Sequence, residues 1–421
     1  MPTAINLRQA VFALADALDL VGIDEVQHGK RVAYMALACA RRLGMDTNTQ
    51  RRLFHAALLH DCGVSSSRMH ERLIGGLDWE GAHEHCEVGY ALLKDFAPLA
   101  DLADIIRYHH THWRDRPAHL DADTARLANL VYLADRADAL AAPYYGSNIF
   151  VARRLVREKL RPLAGDLFEP GLLATFLDLS ATEAFWWSLE PRHLDHFLLE
   201  MESESEPIKM GMEAMGHLAY IFARIVDAKS PYTRQHSEGV ARLARRLGEW
   251  TGLPPQQCEE LEIAGLLHDL GKLRVPDEIL DKHGPLNEAE WDIMQRHSFE
   301  TWQILRRIQG LEDVATWAGY HHEALDGSGY PFRVGAAQMS IETRIIAVAD
   351  IFQAFAQDRP YRAGLSAREI LAYLEQAAAR GTVDADVVAL IAEHLDESWA
   401  AACATGPCTS CAMKGPAQEV V

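Results

Sequence analysis

Five groups of histidines and acids recur twice along this 421-residue chain, in one order and at one spacing, and nothing else narrows the fold as far. In the first half they run His28, His60-Asp61, His85, His109-His110 and Asp135. In the second they run His236, His268-Asp269, His297, His321-His322 and Asp350. His28 lies 32 residues before His60, as His236 does before His268; His85 lies 24 before His109, as His297 does before His321. Neighbouring words match too: AALLHDCG against AGLLHDLG, YHHTHW against YHHEAL, YLADRADAL against AVADIFQAF. Coincidence is a poor account of five groups in order, so the chain reads as one unit written twice.

The unit is helical. Apolar residues recur at three- and four-residue spacing, as in Leu261, Ile263, Ala264 and Leu267 and in Leu53, Ala57 and Leu58, while β-branched alternation is scarce. Ser366 with Glu369 predicts a capping box before a helix over Ile370 to Arg380, which Gly381 stops. Pro254-Pro255 suits the first turn of the helix leading to His268. The predicted class is all-α. An acidic stretch at Met201 to Pro207 reads as a linker or the exposed part of a connecting helix. The expected division is a domain over 1–200, a linker over 201–212, a second domain over 213–400 and a flexible tail over 401–421.

No run of about 18 apolar residues predicts a membrane span. Met1 to Leu20 lacks the basic, apolar and cleavage regions of a signal peptide, which predicts a cytoplasmic protein. Net charge is −19, from 41 Lys plus Arg against 60 Asp plus Glu, which disfavours long nucleic acid as a partner. A small anionic ligand stays compatible, because metal ions and a few arginines reverse the field inside one pocket. The seven cysteines are scattered except for Cys403, Cys408 and Cys411, which suits a reducing compartment. Those three would need a fourth ligand to hold zinc or an iron–sulfur cluster; a tail with free thiols is the expectation.

A single histidine on a helix, or one His-Asp pair, is usually structural, and His217, His283 and His394 are read that way. Matched sets are different. A His-Asp pair supplies an imidazole nitrogen and a carboxylate able to bridge two ions; further histidines add neutral nitrogens and Asp350 a second carboxylate. That mixture suits Fe, Mn, Zn, Co or Ni better than Ca. Two such ions polarise a phosphoryl oxygen and acidify a water, which is what phosphodiester hydrolysis needs. Lys272, Arg359 and Arg362 are candidates for the positive charge around the phosphate oxygens.

The second half resembles the HD-GYP family. His268-Asp269-Leu270-Gly271-Lys272 is similar to its HDxGK motif, His321 through Pro331 to its HHExxDGxGYP motif, and Asp358-Arg359-Pro360-Tyr361-Arg362 to its DRPYR segment. The likeness covers about residues 210 to 400. It implies a cytoplasmic signalling hydrolase that opens cyclic di-GMP or 3′,3′-cGAMP to a linear dinucleotide by attack of a metal-bridging hydroxide on phosphorus. It implies a centre of two or three divalent transition-metal ions, iron or manganese first. Carried over by position, the ligands are His236, His268, Asp269, His297, His321, His322 and Asp350, with Asp269 bridging. Lys272 faces the scissile phosphate, Arg359 and Arg362 hold the phosphates, and Tyr330 stands near the ligand on a glycine-rich lip. Gly327 and Gly329 permit unusual backbone shapes there and Pro331 stiffens the exit.

Two departures stand out. The glutamate that some members carry four residues before the first histidine is Tyr232 here, which predicts two metals rather than three. The residue three beyond the last Asp ligand, often acidic in the family, is Gln353.

The first half is similar to a plain HD domain. It has a second candidate metal site in His28, His60, Asp61, His85, His109, His110 and Asp135, but Val64 stands where the second half has Lys272, and there is no GYP loop. It is expected to regulate, or to serve a homodimer or a signalling partner, rather than cut a cyclic dinucleotide. The alternatives to a phosphodiesterase are a non-catalytic cyclic-dinucleotide receptor, an HD-type nucleotidase and a di-iron oxygenase.

Overall fold

In the computed structural model of the protein, residues 5–21, 27–64, 66, 67, 69, 81–203, 209–230, 235–357 and 363–404 are described. Arg359, Arg362, Tyr232, Cys408 and Cys411 lie outside them, so the expectations resting on those residues have no structural counterpart. The chain is all-α. Among the described residues its strands are two residues each: β1 (Ile5–Asn6) pairs antiparallel with β2 (Lys209–Met210), Ile5 opposite Met210.

The chain divides into two compact units, one formed by 10–208 and the other by 1–9 with 209–421. Backbone pairing of β1 on β2 explains why the first nine residues group with the second-half unit rather than with 1–200. The stretch expected to be a linker, 201–212, also carries structure. A helix over Pro191–Ser203 takes its first residues, and β2 and the start of the next helix take its last.

Within the first unit five helices carry the histidines and acids: α1 (His28–Arg42), α2 (Thr47–Leu59), α3 (Ala82–Leu93), α4 (Ala103–Arg107) and α5 (Ala122–Ala141). In the second unit α6 (Met212–Asp227) is followed by five counterparts: α7 (His236–Thr251), α8 (Pro255–Leu267), α9 (Glu288–Leu305), α10 (Glu312–Gly319) and α11 (Ile341–Ala356). The helix α12 (Ala367–Ala379) comes after them. The packing is duplicated with the sequence. α1 lies on α2 and α5 as α7 lies on α8 and α11, and α3 lies on α4 as α9 lies on α10. The apolar stripe predicted on α8 is core, with Leu261, Ile263, Ala264 and Leu267 at most 1 % exposed, and Leu53, Ala57 and Leu58 are buried on α2.

Helix ends follow local chemistry. Ser366 and Glu369 form the predicted capping box at α12, Asn287 and Glu290 form another at α9, and Gly381 takes φ +77 beyond α12. Two backbone devices occur in both units. Gln27 and Gln235 adopt left-handed φ of 86 and 67 immediately before His28 and His236, a shape that costs a non-glycine residue about 1 kcal/mol and turns the first histidine into its helix. Gly63 and Gly271 come so close to the third histidine of each set that an added Cβ would lie 2.0 Å from the His85 and His297 carbonyl oxygens respectively. The glycine of each His-Asp-x-Gly run is thus required by this close approach.

Candidate metal centre

Five helices deliver the second-half side chains to one point. His236 opens α7, His268 ends α8, His297 lies mid-way along α9, His321-His322 follow α10, and Asp350 comes from α11. The Asp269 carboxylate sits between them. Its Oδ2 lies 3.5 Å from His236 Nε2 and 3.3 Å from His268 Nε2, while its Oδ1 lies 3.6 Å from His297 Nε2 and 3.8 Å from His321 Nε2. Asp350 Oδ1 is 3.2 Å from His236 Nε2 and its Oδ2 is 3.9 Å from His322 Nδ1. One carboxylate therefore turns an oxygen to each of two donor sets.

The outer nitrogens fix what the inner ones offer. His268, His297 and His321 direct Nδ1 at the carbonyl oxygens of Gly265, Met294 and Ala318, at 2.7, 2.6 and 2.6 Å. A carbonyl only accepts, so Nδ1–H donates and the neutral ring presents a lone pair at Nε2. His236 does the same through Gln353 Oε1, at 2.7 Å. That gives Gln353 its physical role: an amide oxygen orients the first histidine where a carboxylate would also pull on its proton.

The donors fit a metal better than they fit each other. The Nε2 atoms of His297 and His321 are 3.2 Å apart. Two lone pairs repel at that distance, whereas two nitrogens sharing one ion at about 2.1 Å stand roughly 3.0–3.4 Å apart. The Nε2 atoms of His236 and His268 and the Asp269 Oδ1 are buried without a hydrogen-bond partner, a costly arrangement unless a cation satisfies them. Nitrogen-rich donors with two carboxylates suit a first-row transition ion.

Electrostatics agree. Burial takes His297 down to about 3, and burial reinforced by His322 holds His321 well below the usual imidazole range, so both are neutral ligands near pH 7. Burial also opposes charge on His268, but Asp269 and Asp350 overcome it and push that pKa up to about 10. Without an ion the Nε2 of His268 thus holds a second proton, which a bound metal would displace to leave the neutral ring. Burial works against the Asp269 carboxylate, and His268 and Lys272 nonetheless keep it ionised. Lys272 Nζ lies 2.5 Å from Asp269 Oδ2, at the edge of the cluster.

The glycine-rich lip closes against the same histidines. A Cβ on Gly329 would lie 2.4 Å from the Ala324 nitrogen and 2.5 Å from the His322 oxygen, and Gly327 takes φ +78. The Tyr330 ring lies 4.9 Å from that of His322, and burial with the nearby Asp350 and Asp269 raises its hydroxyl pKa, leaving a neutral donor. Glu323 holds the loop: its carboxylate accepts from the backbone N–H of Phe332, Arg333 and Val334 at 2.6, 3.1 and 3.1 Å. Glu323→Ala would orphan three amides in a buried position, a cost of about 2–4 kcal/mol. The expected result is a turnover loss of about tenfold or more with metal content unchanged by elemental analysis. Loss of the metal along with activity would contradict a role confined to the loop.

The first unit repeats the cluster with changes. His28 and His60 bring Nε2 atoms to 3.3 Å and His85 and His109 to 3.2 Å, with Asp61 reaching His28, His60 and His85 at 3.7, 3.5 and 3.3 Å. Asp135 lies 3.4 Å from His28 Nε2 and 3.7 Å from His110 Nε2. His28 Nδ1 meets Asp138 at 2.7 Å, the position of Gln353 in the other copy. Val64 is buried where Lys272 stands. Arg136, where the second unit has Ile351, is buried and clasps Asp135 with contacts of 2.8 to 3.1 Å. Cys86 Sγ, where the second unit has Ser298, lies 3.8 Å from His85 Nε2.

Sequence reasoning missed several of these groups. Asp19 and Asp227 each stand nine residues before the first histidine and accept the backbone N–H just after it, Gly29 at 3.1 Å and Ser237 at 3.3 Å. Burial pushes Asp19 up to about 6 and Asp227 up to about 8. Extending the duplicated spacing nine residues back would have found both. Glu323 and Arg136 had no such signal, because the amides Glu323 holds lie nine to eleven residues further along the chain and Arg136 has no counterpart in the other copy, where Ile351 stands. No helix among the described residues is long and apolar enough to cross a membrane.

Residues 26–142 and 220–387 each match an HD domain family. The chain is 39 % identical over 411 residues to the 3′3′-cGAMP-specific phosphodiesterase 1 of Vibrio cholerae serotype O1, covering 96 % of this chain and 95 % of that one. It is 36 % identical over 168 residues to a cyclic di-GMP phosphodiesterase of Thermotoga maritima, covering 39 % of this chain and 45 % of that one. A crystal structure of a cyclic GMP-AMP-specific phosphodiesterase from V. cholerae superposes with a TM-score of 0.66 at 25 % identity, covering 93 % of this chain and 98 % of that one. With two HD domains in tandem, this chain belongs to the HD-GYP family of phosphodiesterases.

Proposed function

We propose that the unit containing residues 209–421 opens 3′3′-cGAMP to a linear dinucleotide, within the metal-dependent hydrolysis of cyclic dinucleotides that its relatives perform. The observation that carries this reading is the Asp269 carboxylate, which turns one oxygen to His236 and His268 and the other to His297 and His321. The preference for 3′3′-cGAMP over cyclic di-GMP is supported by the relative matched along nearly its whole length.

His236, His268, Asp269, His297, His321, His322 and Asp350 would hold two divalent ions, iron or manganese, which when bound polarise the phosphoryl group and acidify a water. The chain's own groups do the rest. Carbonyls of Gly265, Met294 and Ala318 keep the imidazoles aimed inward. Lys272, at the edge of the cluster beside Asp269, would offer its ammonium to the phosphate oxygens, where negative charge builds during attack. Tyr330 donates from the lip, and Arg359 and Arg362 are the further phosphate-holding groups. His322, partly exposed beside Tyr330, borders the entrance for substrate.

The first unit would bind metal without cutting a cyclic dinucleotide. Arg136 neutralises Asp135, Val64 brings no cation, and the sequence after His109-His110 lacks the GYP motif, which favours a regulatory role. Separation of products from 3′3′-cGAMP, cyclic di-GMP and cyclic di-AMP, after anaerobic loading with Fe or Mn, tests the assignment. Linear product from 3′3′-cGAMP at the highest kcat/KM is expected. Tight binding without turnover in either metal would identify a receptor instead, and turnover of cyclic di-GMP alone would move the substrate.

A further inference from the structure

Trp291 stands on α9, six residues before His297, and remains 44 % exposed. Its indole meets the Tyr330 ring edge-to-face at 5.9 Å, and Tyr330 in turn lies 4.9 Å from His322. Those two contacts place the indole no more than about 11 Å from a candidate metal ligand. The loop does not need it as an anchor. Glu323 already takes three loop amides, and Phe332 is clasped by Trp302 at 5.1 Å and Tyr320 at 4.8 Å. What Trp291 adds is an uncharged aromatic face left open beside the histidine cluster, able to take a second ring in an offset stack.

We propose that Trp291 stacks on a purine base of the cyclic dinucleotide and sets the affinity of the site, acting as a specificity-determining residue and not a catalytic one. The inference rests on the function proposed above. Five covalent bonds through O3′, or six through O5′, separate a phosphorus atom from the glycosidic nitrogen, a reach of roughly 5–7 Å at bond lengths near 1.5 Å. A base adds its own width and a stacking gap beyond that, which matches the position of the indole when a phosphate sits among the histidines. Stacking takes any base with a π face and needs no charge, which suits so acidic a protein.

The full chain loaded with Mn, with Trp291→Ala and Trp291→Phe variants, is assayed on 3′3′-cGAMP and on methyl 4-nitrophenyl phosphate, a phosphodiester without a base. Trp291→Ala is expected to raise KM for the dinucleotide about 5- to 100-fold with kcat within about twofold. Turnover of the small ester and the melting curve should stay unchanged, and Trp291→Phe should recover most of the affinity. A dinucleotide KM unaltered in Trp291→Ala would overturn the proposal. So would equal losses on both substrates, which would make Trp291 a support for the Tyr330 loop. Wild-type protein that cleaves the small ester but no cyclic dinucleotide would overturn the proposed function first, and the stacking role with it.

Discussion

Asp269→Ala is expected to cut cyclic-dinucleotide hydrolysis by about 10⁴-fold, to the limit of detection, and to lower bound metal by at least one ion per chain. Asp269 lies between four of the histidines, 3.3 to 3.8 Å from His236, His268, His297 and His321. Asp350 approaches His236, His268 and His322 and leaves His297 and His321 to Asp269. Steady-state kinetics with elemental analysis checks this, with a melting curve to show that the variant folds. Pairing it with His268→Ala removes the adjoining imidazole too, and full activity in that double variant would sink the two-metal reading.

Lys272→Ala should leave metal content and KM near wild type while kcat falls about 10²- to 10³-fold, the usual cost of losing one group that stabilises transition-state charge. The ammonium lies 2.5 Å from Asp269 Oδ2 at the edge of the cluster, close enough to move onto a phosphate oxygen once cations occupy the carboxylate. Lys272→Arg should recover part of the rate, since it keeps the charge but not the compact geometry. Metal loss in Lys272→Ala, with kcat falling only in proportion, would instead make the lysine a support for Asp269. Val64, an apolar side chain, stands at the corresponding position of the first unit and offers no such charge.

The converging histidines and acids were legible because duplication printed them twice. Each histidine sits beside a recognisable word, and helical spacing carries apolar residues such as Leu261 and Ala264 to the core, so all-α class and the Ser366–Glu369 cap were open to reading. The boundary at residue 200 was less so. Whether Ile5–Asn6 pairs with Lys209–Met210 is a contact across 200 residues of chain that no local pattern announces.

The amino-acid order alone determined which side chains have metal chemistry and that they come in two sets, since residue type and spacing are local properties. Folding decided what surrounds those sets. Glu323 gathers three amides from nine to eleven residues away, Arg136 seals Asp135, and Gly271 makes room for the His297 carbonyl. Each of these depends on groups meeting in space. Distances, burial and the charge that survives burial arise only when helices pack, and they give the two clusters different surroundings.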